Sequence, residues 1–347
     1  VIKEATLYQK LMEGRVRCLV CERQCVIPEG ERGYCLTREN RGGKLYSLIY
    51  GEVSTFFPAP MEIKPLYHFY PGSRALSFGS LGCNFRCIHC QNWEIAHTAP
   101  GRSSRETEYI TPEKAVELAI SSGCEGICWT YNEPAIWLEY ILDTAKLAKE
   151  RGLHTSIVTN GYLTVEALDL IGPYIDAFRV DIKGFSNEFY QKIANVPNFF
   201  PVLRTVIRAK KKWGMHIEVV TNVIPTLNDN DREAEGIAEW IVKSLGKDTP
   251  WHITRFIPHY KLEHLPETPV STLERFHNIG KKVGLSYIYI GNVPNHPLEN
   301  TYCPKCGSQV ITRRGHRLIS HSISEGKCAV CGAPIPIIGG VNGPFKS

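Results

Sequence analysis

The chain has 347 residues, 43% hydrophobic and 22% charged, the make-up of an ordinary globular protein with room for one large α/β domain plus attachments. No apolar run reaches the length of a membrane span, and the opening VIKEATLYQKLMEG has no apolar signal region, so a cytoplasmic protein without membrane contact is expected. The formal charge of +5 gathers at one end: Lys305, Arg313, Arg314, Arg317, Lys327 and Lys346 face Glu325 alone after residue 300. An anionic substrate or acidic partner would meet that tail; a solvated basic face is the simpler reading, and nucleic acid is not expected.

In chain order, residues 1–70 read as an irregular Cys-rich extension. It ends in FFPAPMEIKPLYHFYPG, which reads as extended linker with little helix. Residues 71–298 then alternate. Strands are predicted over 74–81, 126–130, 154–160, 177–182, 216–223, 251–257 and 287–293. Helices are predicted over 111–122, 134–152, 164–172, 200–214, 232–246 and 271–284, several ending in Gly after basic residues. Pro112 behind Thr111 suits a helix start, and Ser271 with Glu274 spells a capping box. Repeated β-α units imply a parallel sheet covered by helices, either doubly wound or an open, partial TIM-like barrel. Both forms gather ligands at the C-terminal ends of the strands. Cys83, Glu133, Asn160, Asp181, Lys183 and His259 all fall there. Residues 299–347 form a third segment with paired CPKCG and CAVCG.

Thirteen cysteines without a secretion signal argue for metal and against disulfides. They fall in three clusters, with Cys124 and Cys128 outside. Cys303, Cys306, Cys328 and Cys331 make two knuckles that predict a zinc-ribbon or rubredoxin-like site holding zinc or iron. Cys18, Cys21, Cys25 and Cys35 give C-x2-C-x3-C-x9-C, suited to zinc or to a second iron–sulfur cluster. Cys83, Cys87 and Cys90 in LGCNFRCIHCQNWEI stop at three. Three thiolates leave a metal coordination position open, either on a catalytic zinc or on one iron of a [4Fe–4S] cluster. Buried core cysteines are a poor alternative, because Asn84, Arg86, His89 and Gln91 make the loop polar.

With this triad behind the first barrel strand, the sequence resembles the radical SAM superfamily. It resembles in particular the pyruvate formate-lyase-activating-enzyme-like branch and, within it, the AmmeMemoRadiSam-type proteins. The resemblance runs over nearly the whole chain, through YNEP, VTNGY, VDIKGF, RFIPHY and YCPKCG. It implies a partial (βα)6 barrel whose triad holds a [4Fe–4S] cluster with one iron open to S-adenosylmethionine (SAM). One electron, from a reductant such as ferredoxin or flavodoxin, would cleave the sulfonium and give a 5′-deoxyadenosyl radical. By the same resemblance His89 lies near the adenine and Glu133 accepts from the SAM ammonium. Asn160 and His259 would stand near the ribose, and Lys183, on one strand face with Asp181, would pair with the carboxylate. YNEP departs from the family's GGEP, and Val158 stands where related activases often carry an acid.

Three functions fit these residues. The first is a radical SAM enzyme abstracting hydrogen from a substrate of its own. The second is an activase placing a glycyl radical on a protein partner. The third, of another class, is a zinc-ribbon nucleic-acid-binding or scaffold protein.

Overall fold

The computed structural model describes residues 1–101 and 106–342, so Lys346 of the basic tail lies outside the described residues. The chain is mixed α/β and divides into two units. The first comprises Val1–Pro58, Ala75–Phe178 and Tyr190–Met215; the second comprises Ala59–Arg74, Arg179–Phe189 and His216–Ser347.

In the first unit the strand Gly126–Trp129 lies parallel between Arg74–Gly79 and His154–Thr159, with Gly126 level with Ala75 and with His154. These strands are buried along almost their whole length, as expected where helices cover both faces. Gly126 is needed where it stands: a Cβ there would lie 2.0 Å from His154 Nδ1. The helices begin where their caps predict. Thr111 accepts from Lys114 N–H ahead of Pro112–Ser121, and Thr164 accepts from Ala167 N–H ahead of Val165–Ile171. Pro134–Trp137 is a 3-10 turn that feeds the helix Leu138–Glu150.

The first 58 residues are more regular than their sequence suggests. Tyr8–Lys10, Val16–Cys18 and Val26–Ile27 form one antiparallel sheet, and Lys3–Glu4, Arg38–Arg41 and Lys44–Ser47 another. The buried Arg38 anchors this region. Its guanidinium forks onto Glu139 at 3.0 and 2.7 Å, and Thr6 N–H donates to the same carboxylate. A buried pair of this kind costs about 3–5 kcal/mol when one partner is removed.

In the second unit His216–Val223, Trp251–Arg255 and Ile288–Gly291 run parallel, with Val219 level with Trp251 and Trp251 level with Ile288. Asn230 caps the helix Asp231–Trp240, which runs on into a π-helical turn, Ile241–Leu245. The last helix, Val270–Val283, starts behind Pro269, not at the Ser271 box. Ser271 therefore sits inside the first turn, and Glu274 is drawn to His296 at 3.4 Å. The helix stops at Gly284, φ +108°, whose N–H closes onto Gly280 O.

The segment read as linker is packed. Thr55–Pro60 is a strand, and Met61, Leu66, Tyr67, His68 and Phe69 are buried. Around it lies a buried polar network. Glu218 accepts from His216 Nε2 at 2.9 Å, His252 Nε2 at 2.6 Å and His68 N–H at 2.8 Å. Pro336 O can only accept, so His68 carries its proton on Nδ1, and Nε2 accepts from Tyr289 O–H at 2.6 Å. Arg313, counted above with the basic tail, is buried. It stacks 4.1 Å over the Tyr67 ring and donates to Tyr67 O and Thr301 Oγ1. Lys305, Arg314, Arg317 and Lys327 remain exposed.

This network makes the second unit acid-sensitive. Burial pushes His68 down to about 3 and lowers His252 below its usual range. Burial alone would raise Glu218, but its histidine donors outweigh that and hold it well below the ordinary carboxylate. The unfolded chain therefore binds more protons below the free imidazole value of about 6.5. Stability should fall as pH drops from about 6.5 towards 3, by on the order of a few kcal/mol. Urea melts of the second unit at stepped pH check this; a flat profile from pH 7 to 4 would contradict it.

Candidate functional site

The first unit brings Cys83, Cys87, Cys90, Glu133 and Asn160 into one neighbourhood. The triad follows the strand Arg74–Gly79 on a loop whose backbone is pinned at both ends. Gly82 N–H donates to Ile95 O, Arg86 N–H to Ala194 O and Ile88 N–H to Ile193 O. Phe85 N–H points at Cys83 Sγ, 3.3 Å away. Burial pushes the Cys83 thiol well up, with Glu133, Cys87 and Cys90 adding to the effect. Without a metal this thiol is a protonated, inert group; with one, metal binding must drive off its proton.

Glu133 is the hub. It is 1% exposed, and its Oε1 accepts from Ala135 N–H at 2.9 Å and Thr159 O–H at 2.6 Å. Its Oε2 accepts from Asn160 N–H at 2.8 Å. Glu133 thus caps the turn Pro134–Trp137, and the carboxylate also ties the ends of two strands together. Asn160 Nδ2 reaches Asn84 Oδ1 at 2.7 Å, in the triad loop. Asn132 braces the approach to Cys83 by accepting from Ser80 N–H and donating to Gly82 O. Tyr131 holds φ +71°, so the backbone keeps a left-handed turn at a position where the family motif has glycine. His89 is half-buried beside Cys90.

The remaining sequence-predicted residues belong to the second unit. Asp181 accepts from Arg179 at 2.5 Å and from Lys183 Nζ at 3.2 Å. Arg179 and Asp181 share one face of the strand Ala177–Asp181, while Lys183 lies two residues beyond its end, not on the strand as expected, and still reaches the Asp181 carboxylate. His259 is half-exposed on the loop after Trp251–Arg255, with its carbonyl accepting from Leu262 N–H.

Sequence reasoning missed how the two N-terminal cysteine loops touch. Gly82, φ +84°, lies so close that a Cβ there would meet Thr37 Cγ2 at 2.5 Å and Cys35 O at 2.6 Å. The Tyr34 ring is stacked by Arg23 at 3.5 Å and approached by Arg86 at 4.7 Å. Arg23 also donates to Asn84 O, and Arg86 to Cys83 O and Tyr34 O. A Gly before a cysteine and arginines inside cysteine loops were the available signals.

The tail cysteines are assembled for a single ion. All four sulfurs lie within 4.8 Å of one another, with Cys303–Cys331 at 3.6 Å and Cys306–Cys328 at 3.8 Å. Four sulfurs about 2.3 Å from a tetrahedral ion stand ~3.8 Å apart. The two knuckles repeat one design. Gly307 and Gly332 take left-handed φ, their N–H groups donate to Cys303 O and Cys328 O, and those cysteines donate to Ser308 O and Ala333 O. Ser308 beside Cys306 brings that thiol down to about 6. Val310, Ala333 and Ile335 pack around the buried cysteines. So small a core suits a metal staple.

Two outcomes follow. Gly82→Ala should cost about 1–3 kcal/mol, because it combines a clash with a strained φ; unchanged denaturation of the first unit would contradict the close approach. Cys303→Ser should remove one metal equivalent and expose the amides of residues 301–342 to exchange. Unaltered metal content would contradict a site there.

Comparison with known proteins agrees with this geometry. The radical SAM superfamily model matches residues 79–241. Uncharacterized protein MJ0808 of Methanocaldococcus jannaschii is 42% identical over 97% of this chain and 100% of its own. The pyruvate formate-lyase 1-activating enzyme of Escherichia coli K12 is 23% identical over 62% of this chain and 91% of its own. A solved domain of the pyruvate-formate lyase-activating enzyme from Bacteroides vulgatus is 18% identical, covers 48% of this chain and 99% of its own, and superposes with a TM-score of 0.42. The chain belongs to the radical SAM superfamily, in its pyruvate formate-lyase-activating-enzyme-like branch.

Proposed function

We propose that this protein is an enzyme that cleaves SAM reductively and abstracts hydrogen from a substrate of its own. The observation that carries the reading is the three-cysteine loop tied through Asn84 and Asn160 to a buried carboxylate at the strand ends. The donor set fits a [4Fe–4S] cluster: three thiols on a pinned loop, and an N–H aimed at Cys83 Sγ. When bound, that cluster supplies the electron that breaks the SAM sulfonium bond.

The chain's own residues bind and orient. Cys83, Cys87 and Cys90 would hold the cluster and leave one of its irons open to SAM. Glu133, held by Ala135 N–H, Thr159 O–H and Asn160 N–H, accepts from the SAM ammonium, a charge-assisted bond worth roughly 1.5–3 kcal/mol. Asn160 and His259 serve the ribose, His89 the adenine and Lys183 the carboxylate, with Asp181 setting the Lys183 ammonium. The tail quartet holds zinc or iron, and a ferredoxin or flavodoxin supplies electrons.

A second reading, a glycyl-radical activase acting on a protein partner, is favoured by the name of the Escherichia coli relative. A glycyl radical doublet on a candidate partner, read by electron paramagnetic resonance, would select it.

The test is anaerobic reconstitution, addition of reductant and SAM, and chromatography for 5′-deoxyadenosine. The wild-type chain should release it, and Ala at Cys83, Cys87 and Cys90 together should abolish it. Equal product from that triple variant would falsify the assignment.

A further inference from the structure

Cys18, Cys21, Cys25 and Cys35 line one cavity, together with Arg38, Asn84 and Tyr34. Three of the four are buried and Cys25 is half-buried. Each thiol lies within electrostatic reach of the other three. They are gathered for one occupant.

The size of that occupant can be read from the sulfurs. In the tail, the four close to within 4.8 Å, the spacing of ligands around one ion. Among the described residues, no three sulfurs of the N-terminal quartet lie within 4.8 Å of one another, although all six pairs interact. The triad shows the same pattern: Cys83 feels Cys87 and Cys90, and the three sulfurs do not all lie within 4.8 Å of one another. Thiolates around a single zinc must converge on one point, whereas those around a cubane reach different corners and stand farther apart. The quartet is spaced like the triad and unlike the tail.

The cavity wall carries a second indication. Arg38 Nε and Asn84 Nδ2 are buried N–H donors without a partner, on residues 1% and 0% exposed that both line this cavity. Buried donors of this kind need acceptors. A cluster's sulfides and thiolates supply them, and hydrogen bonds to sulfur are a normal part of cluster sites. Thr37 O–H, 3.3 Å from Cys35 Sγ, already makes one. The wall is shared with the radical site, since Asn84 follows Cys83 and Gly82 rests on Cys35 O.

We propose that Cys18, Cys21, Cys25 and Cys35 hold a second [4Fe–4S] cluster, seated against the triad loop, and not a zinc ion. Acid-labile sulfide reports this directly, because neither zinc nor a lone iron in the tail brings any. The Cys83/Cys87/Cys90→Ala chain, reconstituted anaerobically, should retain about four sulfides and a reducible paramagnetic cluster. If that variant does not fold, the wild-type chain decides: about eight sulfides per chain with two clusters, about four with one. A sulfide-free triple variant carrying two zinc equivalents, or a wild type that saturates near four sulfides, would overturn the proposal. Failure of SAM cleavage with eight sulfides present would count against the function proposed above and leave this site standing.

Discussion

The approach of the triad loop to the N-terminal cysteine loop sets much of the first unit. At Gly82 the two backbones come so near that no side chain fits between them. Polar groups at such a seam need partners. Arg23 and Arg86 supply several by donating to Asn84 O, Cys83 O and Tyr34 O, and both guanidinium groups lie over the Tyr34 ring. Planar guanidinium groups suit this task, since each can stack and donate in fixed directions at once. The Arg38–Glu139 pair then ties the same segment to the helix Leu138–Glu150. An open-iron site needs a rigid frame, because the cysteines must hold three corners while the fourth exchanges ligands.

The second unit meets a different constraint, buried charge in place of tight backbone contact. Glu218 and Glu62 are both fully buried; Glu218 accepts from His68, His216 and His252, and Glu62 from Gly72 N–H. Arg313 stands 3.9 Å from Glu62 and stacks over Tyr67, so a residue of the basic tail works inside the core. This lowers the weight of tail charge as a guide to substrate. Among the described residues of the tail, four basic side chains and Glu325 stay exposed, a weak field at physiological salt.

The α/β series was readable because its strands are apolar, β-rich and separated by helical patterns; Gly126–Trp129 and His216–Val223 lie where alternation places them. The helix Asn187–Ala194 was missed, being two turns long with only Ser186 to announce it. The short N-terminal strands, two to four residues each, are too brief to show a period and exist through their ladders. The Ser271 box failed because Pro269, two residues before it, fixes the chain direction and the helix begins at Val270. In the candidate site the cysteines and Glu133 were legible from spacing and motif. Gly82, Tyr34, Arg38 and Asn132 were not, since each acts through contacts between residues far apart in sequence.

The central claim is that the triad leaves one iron free for SAM. The most direct measurement is the electron paramagnetic resonance spectrum of the reduced protein before and after SAM is added. If one iron is open, SAM binding changes the signal that depends on Cys83, Cys87 and Cys90, and any signal that survives their replacement stays as it was. A triad-dependent signal that is the same with and without SAM, at saturating SAM, would contradict the account.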